Sequence, residues 1–382
     1  MSKTETGLIF SAFTWAYALG QIPGGFLADR LGPKRVLLLI VPFWSVMTAA
    51  TAWANSALTL FGVHFVFGLG EAGAFPSATR AMQLWFPKQE RGLVQGVTHC
   101  FSRLAVAVTA IAIAIMTALG WRWVFYMFAG MGVGWSVWFA AVYRNRPEEH
   151  HRVNAGELAH IREGAVASPI GAAAVPWKAI LHAPNMWAIA AAYFCFFYGA
   201  YFYLTWFPTY LIEYRHLPLK DVGVLASVPL IAAMIGDLAG GLLTDALLRK
   251  TGRLAWSRRI VAAPALLGAA VFLVPAALAH AVGTAIVCLA VSNFCLEMVL
   301  RPAWAVPMDV AGLWSGTVSA IMNMAGAVGA SISPLVFATL VERGSWITPF
   351  VVTAGVLFID ALIWSFLIDA EKRLIPALPR GS

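Results

Sequence analysis

The sequence predicts an all-α membrane protein of about 11 transmembrane helices in two pseudo-symmetric bundles, and three observations predict it. Of the 382 residues 60% are apolar and only 12% are charged, with a mean hydropathy of +0.76, whereas a soluble domain is roughly half apolar and a quarter charged. The apolar residues fall into eleven runs, each close to the ~20 residues that cross a bilayer as a helix. Finally, one charged turn occurs twice. Gly20-x-x-x-Gly24-Gly25-x-x-x-Asp29, followed by Lys34 and Arg35, is repeated as Gly236-x-x-x-Gly240-Gly241-x-x-x-Asp245, followed by Arg249, Lys250 and Arg253. An internal repeat in a polytopic membrane protein points to two homologous halves and to transport.

The runs cover residues 7–28, 36–54, 58–83, 92–118 and 121–143, then 185–212, 221–246, 259–279, 282–304, 314–341 and 346–369. Pro and Gly interrupt many of them, which membrane helices tolerate. A β-barrel would need alternating ten-residue segments, and these are absent. The expected organisation is an amino-terminal bundle at 1–143 with five spans, a cytoplasmic linker at 144–184, a carboxyl-terminal bundle at 185–372 with six spans, and a cytoplasmic tail at 373–382. In the linker, Asn154 is placed to cap a short surface helix whose Leu158 and Ile161 face the membrane. Glu148, Glu149, His150 and His151 read as solvated linker, and no metal site is expected.

The net charge of +8 is spread through the connections, which argues against nucleic acid as a partner. With the 29–35 turn in the cytoplasm, 18 of the 26 Lys and Arg lie inside and five outside. That asymmetry places the amino terminus outside and the carboxyl terminus in the cytoplasm. No signal-peptide pattern precedes the first run. Cys100, Cys195, Cys288 and Cys295 sit in apolar runs without pairing or ligand spacing and read as free thiols. There is no Gly-Lys-Ser/Thr phosphate loop and no catalytic constellation, so an enzyme is not expected.

Gly25-x-x-x-Asp29-Arg30-x-Gly32-x-Lys34-Arg35 resembles the loop signature between helices 2 and 3 of the major facilitator superfamily, and Gly241 to Lys250 stands where that superfamily repeats it. Further pieces resemble its anion:cation symporter branch, which includes hexuronate, galactonate, tartrate and phthalate permeases. These are Trp15-x-Tyr17-x-x-Gly20-Gln21, Gly68-x-Gly70-Glu71-x-x-x-Phe75-Pro76, Trp85-x-Pro87-x-x-Glu90-Arg91-Gly92, Thr205-Trp206-x-Pro208-x-Tyr210 and Gly316-x-x-x-x-x-x-Asn323-x-x-Gly326. The resemblance implies a major facilitator fold, an organic anion (a sugar acid or other small carboxylate) as substrate, and alternating access. It also implies two departures. The chain begins at the family's second helix, without the first helix and its Tyr-x-Asp-Arg cluster, so the five and six spans stand for family helices 2–6 and 7–12. His64 stands where the family often has Arg.

An ionisable group near the membrane centre costs about 2.5–3.5 kcal/mol on insertion scales, which makes each one a functional candidate. Glu71, flanked by Gly70 and Gly73, is the candidate proton carrier, the other reading being a structural hydrogen bond. His64 lies seven residues before it, on the same helical face, and either supplies a titratable charge or only hydrogen-bonds. Candidate substrate-binding residues are Tyr17, His64, Arg103, Tyr198, Tyr201, Trp206, Trp304 and Asn323, whose hydroxyl, amide, indole and cationic donors suit a hydroxylated anion. Candidate gating residues are Gly25, Asp29, Arg30, Arg35, Gly241 and Asp245, with Asp29 placed to pair with the cations that follow it. Arg301 is spaced to pair with Glu297. The expected function is proton-coupled symport in the inner membrane by a monomer, with no cofactor beyond the proton gradient and with sodium as the alternative coupling ion. The alternatives are a non-transporting ligand sensor and an incomplete carrier from a late start site.

Overall fold

The structure is a computed structural model that describes residues 3–98, 112, 115–163 and 175–374, apart from the side chains of 3–8, 10, 11, 219 and 220. The regular elements among the described residues are all helical. The long ones are α1 (Lys3–Leu31), α2 (Pro33–Thr51), α3 (Ala57–Glu71), α4 (Ala74–Trp85) and α5 (Trp121–Val142). The linker holds α6 (Ala155–Arg162) and α7 (Trp177–His182). There follow α8 (Pro184–Tyr201), α9 (Leu219–Thr251), α10 (Leu254–Leu278), α11 (Val282–Glu297), α12 (Leu300–Val310), α13 (Ser315–Glu342) and α14 (Thr348–Phe366).

Nine helical stretches among the described residues are long and apolar enough to cross a membrane. They coincide with nine of the eleven expected runs. Of the other two, the first is α1, a continuous helix of 29 residues. The run at 92–118 lies mostly outside the described residues, as does Cys100.

The chain divides into two compact units, each containing a short segment from the other half of the sequence. Unit 1 is residues 1–88, 101–176 and 311–324, and unit 2 is residues 89–100, 177–310 and 325–382, as far as these are described. In unit 1, α1 packs on α3 and α4, while α2 packs on α3 and α5. In unit 2, α9 packs on α11, α11 on α10, and α14 on both α10 and α8.

Local chemistry explains several boundaries. Between α1 and α2, Gly32 has φ +82°, a conformation costly for any residue with a Cβ. Its turn is tied down by Lys34, whose backbone N–H donates to Asn145 Oδ1 at 2.9 Å and whose Nζ donates to Ala140 O at 2.8 Å. Gly252 ends α9 in the left-handed conformation usual for a helix C-terminus. Helical turns widen to the π form at Phe202–Trp206 and Tyr210–Tyr214, on either side of Pro208, which has no N–H to give to a helical ladder. In the linker, Asn154 Oδ1 accepts from the Glu157 N–H at 2.8 Å and caps α6. Ile161 is buried, so it packs against protein and not along a membrane surface as the sequence suggested.

Candidate functional site

The two copies of the repeated motif do the same structural work in their separate units. In unit 1, a Cβ on Gly24 would fall 2.5 Å from Gly73 Cα, and Gly25 lies directly against Gly316 O. In unit 2, Gly240 lies directly against the Met298 backbone, and a Cβ on Gly241 would be 3.0 Å from Gly92 O. Each first glycine therefore backs onto a break in the neighbouring membrane helix, at Ala72-Gly73 between α3 and α4 and at Met298-Val299 between α11 and α12. Both breaks follow a glutamate, Glu71 or Glu297. Small residues allow this backbone proximity.

Each motif aspartate then caps the start of another helix. Asp29 accepts from the Gly316 N–H at 3.0 Å and from the Thr317 N–H and hydroxyl, both at 2.7 Å. These are the first turns of α13, where unpaired N–H groups and the helix dipole favour an anion. Arg80 adds a guanidinium, its Nε 3.6 Å from Asp29 Oδ1. Arg80 also donates to Gln83 Oε1, which accepts from the Ser315 hydroxyl at 2.7 Å, while Gln83 Nε2 donates to Gly312 O at 2.8 Å. In unit 2, Asp245 accepts from the Leu93 N–H at 2.6 Å, at the start of helical residues 91–98. Arg258 donates to Asp245 at 3.2 Å and lies 3.4 Å from Asp309, which also accepts from Arg91 at 2.9 Å.

The sequence placed Arg30 and Arg35 beside Asp29, but both are exposed, and Arg30 lies over the Phe26 ring at 5.9 Å. Helix α1 continues to Leu31, so consecutive residues point about 100° apart and Asp29 turns inward as Arg30 turns out. Arg80, Arg91, Arg258 and Asp309 complete the caps instead. No spacing rule finds them, because their partners lie far away in the chain. Likewise, Arg301 pairs with buried Asp237 and donates to Gln95 O at 2.6 Å, all within unit 2.

The remaining candidates divide between the units. In unit 1, His64, Gly68 and Glu71 follow one stripe of α3, and Gly68 packs on Phe13 O of α1. His64 and Glu71 are both half-buried, and among the described residues Glu71 has no hydrogen-bond or ion-pair partner. Asn323 Nδ2 donates to the Tyr17 hydroxyl at 3.5 Å. Arg103 lies outside the described residues. In unit 2, a run of rings joins Trp304 to Tyr193 (5.8 Å), Tyr193 to Phe197 (4.9 Å) and Phe197 to Tyr201 (6.1 Å). Tyr198 is buried on the same helix. Trp206 stands apart from this run, stacked on Phe337 at 4.9 Å with its indole N–H donating to Pro334 O at 3.2 Å. Asp360, fully buried in α14, was passed over in the sequence, although the rule that singled out Glu71 applies to it equally.

Glu148 accepts from Arg162 at 2.5 Å. Its carboxyl is held below the usual carboxylate range by hydrogen bonds from its own backbone N–H and from Arg162.

Comparison with known proteins supplies the family. The model of the Major Facilitator Superfamily matches residues 1–334. A probable sulfoacetate transporter of Cupriavidus necator is 38% identical over 96% of this chain and 86% of its own length. A probable galactarate/D-glucarate transporter of Escherichia coli is 30% identical over 96% of this chain and 86% of its own. The crystal structure of the E. coli fucose:proton symporter superposes with a TM-score of 0.72, at 14% identity, over 95% of this chain and 91% of that one. With a family model covering most of its length and relatives all named as transporters, the chain belongs to the major facilitator superfamily and is a multi-pass membrane transporter of a small molecule, not an enzyme.

Proposed function

We propose that this chain is a secondary carrier of the inner membrane that moves a small organic anion together with a proton by alternating access, with its basic connections in the cytoplasm. The observation that carries the coupling is Glu71, a half-buried carboxylate in a transmembrane helix that has no partner among the described residues and sits at the end of α3, just before the break. Such a group can take up and release a proton without first breaking an ion pair, which is what coupling requires. His64 on the same stripe is a second proton carrier or a hydrogen-bond donor to the anion. The Tyr17–Asn323 pair and the Trp304–Tyr193–Tyr201 ring run supply hydroxyl, amide and aromatic surfaces for the substrate. The relatives' names support the substrate class, since sulfoacetate and galactarate are small acids.

The two aspartate caps are the proposed gate elements. Each binds a helix start through donors that a modest sliding of that helix would withdraw together, so each can be made or lost as a unit.

Purified protein in proteoliposomes tests this reading. A pH gradient with the acid side outside should drive accumulation of sulfoacetate or a hexarate, and a protonophore should abolish the accumulation. Accumulation unaffected by the protonophore but dependent on a sodium gradient would replace the proton with sodium, and no uptake of any small carboxylate would remove the substrate class.

A further inference from the structure

Helix α14 carries a single charged residue, Asp360. Its side chain is fully buried, and among the described residues neither carboxyl oxygen has a hydrogen-bond partner. Two helices of unit 2 pack on α14. From α8, the titratable group that reaches Asp360 is Cys195. The charged residues of α10 are both engaged elsewhere, Arg258 by Asp245 and Asp309 and Arg259 by Ile368 O at 2.8 Å.

An ionised carboxylate without a counter-charge is prohibitively costly in such a setting, so this carboxyl carries a proton. A metal cation would need several further ligands around it, and among the described residues no group of three or more His, Cys, Asp or Glu side chains is placed to hold one. Among the described residues no donor or counter-charge reaches either oxygen of Asp360, whereas the hydroxyls on the same helix are satisfied locally, Thr353 donating to Pro349 O at 2.8 Å and Ser365 to Ala361 O at 2.7 Å. Nothing among the described residues stabilises the ionised form in this arrangement, so release of the proton requires these helices to rearrange.

We propose that Asp360 is a second proton-binding site of this carrier, loaded in this arrangement of unit 2 and emptied during the transport cycle. The emptying step rests on the carrier reading; the loaded state does not. Infrared spectra of reconstituted protein at neutral pH should show the carbonyl stretch of a protonated carboxyl that D360N removes and E71Q retains. Labelling the aspartate carboxyl carbon with 13C in the unsubstituted protein should shift the same band, which makes the assignment independent of whether D360N folds. Absence of an aspartic acid band overturns the proposal. For the cycle, the proton-to-substrate ratio from reversal potentials should fall by one in D360N, and an unchanged ratio overturns the emptying step. Should the unsubstituted protein move no organic anion, the carrier reading and the emptying step fall together, while the infrared band still decides whether Asp360 binds a proton.

Discussion

Asp29 shows how one side chain acquires its role. Its carboxylate accepts three hydrogen bonds from Gly316 and Thr317, and a buried Arg80 stands beside it. Replacing it with Asn keeps the shape but leaves the guanidinium without its carboxylate, which for a buried pair costs about 3–5 kcal/mol. D29N is therefore expected to lower the thermal midpoint of the detergent-solubilised protein well beyond T317A, which removes only one hydrogen bond to a charged group, about 1.5–3 kcal/mol. Equal midpoints for D29N and the parent would show that the cap contributes nothing. The sequence pointed to Asp29 through its repeated spacing, but it could not supply Arg80, because nothing local ties residue 80 to residue 29. The same limit hid Asp309 as the partner of Arg91 and Arg258, and Asp237 as a partner of Arg301. Proximity along a helix was legible in these cases, and tertiary competition was not.

Among the helices, legibility follows periodicity. Nine expected runs reappear as helices long and apolar enough to cross a membrane, because twenty apolar residues in succession have few other solutions. The glycine spacing of the motif was equally plain, yet its purpose needed the structure. Gly24 and Gly240 press on Gly73 and on Met298, at the two places where a membrane helix breaks after a glutamate. The breaks themselves were not legible, since Ala72, Gly73, Met298 and Val299 interrupt no apolar run. A methyl group at either glycine meets backbone, which cannot step aside as a side chain can. G24A and G240A are each expected to destabilise the protein by about 1–3 kcal/mol, as overpacking does elsewhere, read as a lowered midpoint on thermal denaturation. A substitution that leaves the midpoint unchanged would mean that the helices part readily at these points, and the close packing argument would fail there.

Over the whole molecule, the two units carry parallel devices with different chemistry. Among the described residues, unit 1 has one arginine, Arg80, at its aspartate cap, while unit 2 has a network of Asp245, Arg258, Asp309 and Arg91. Unit 1 also holds Glu71, the carboxylate to which the account assigns the coupling proton. The decisive comparison is between two transport modes of Glu71→Gln in proteoliposomes. Exchange of labelled for unlabelled substrate at equal pH needs no net proton movement, whereas accumulation against a gradient does. The variant is expected to keep exchange and to lose accumulation driven by a pH gradient; accumulation equal to that of the unsubstituted protein would remove Glu71 from the coupling role.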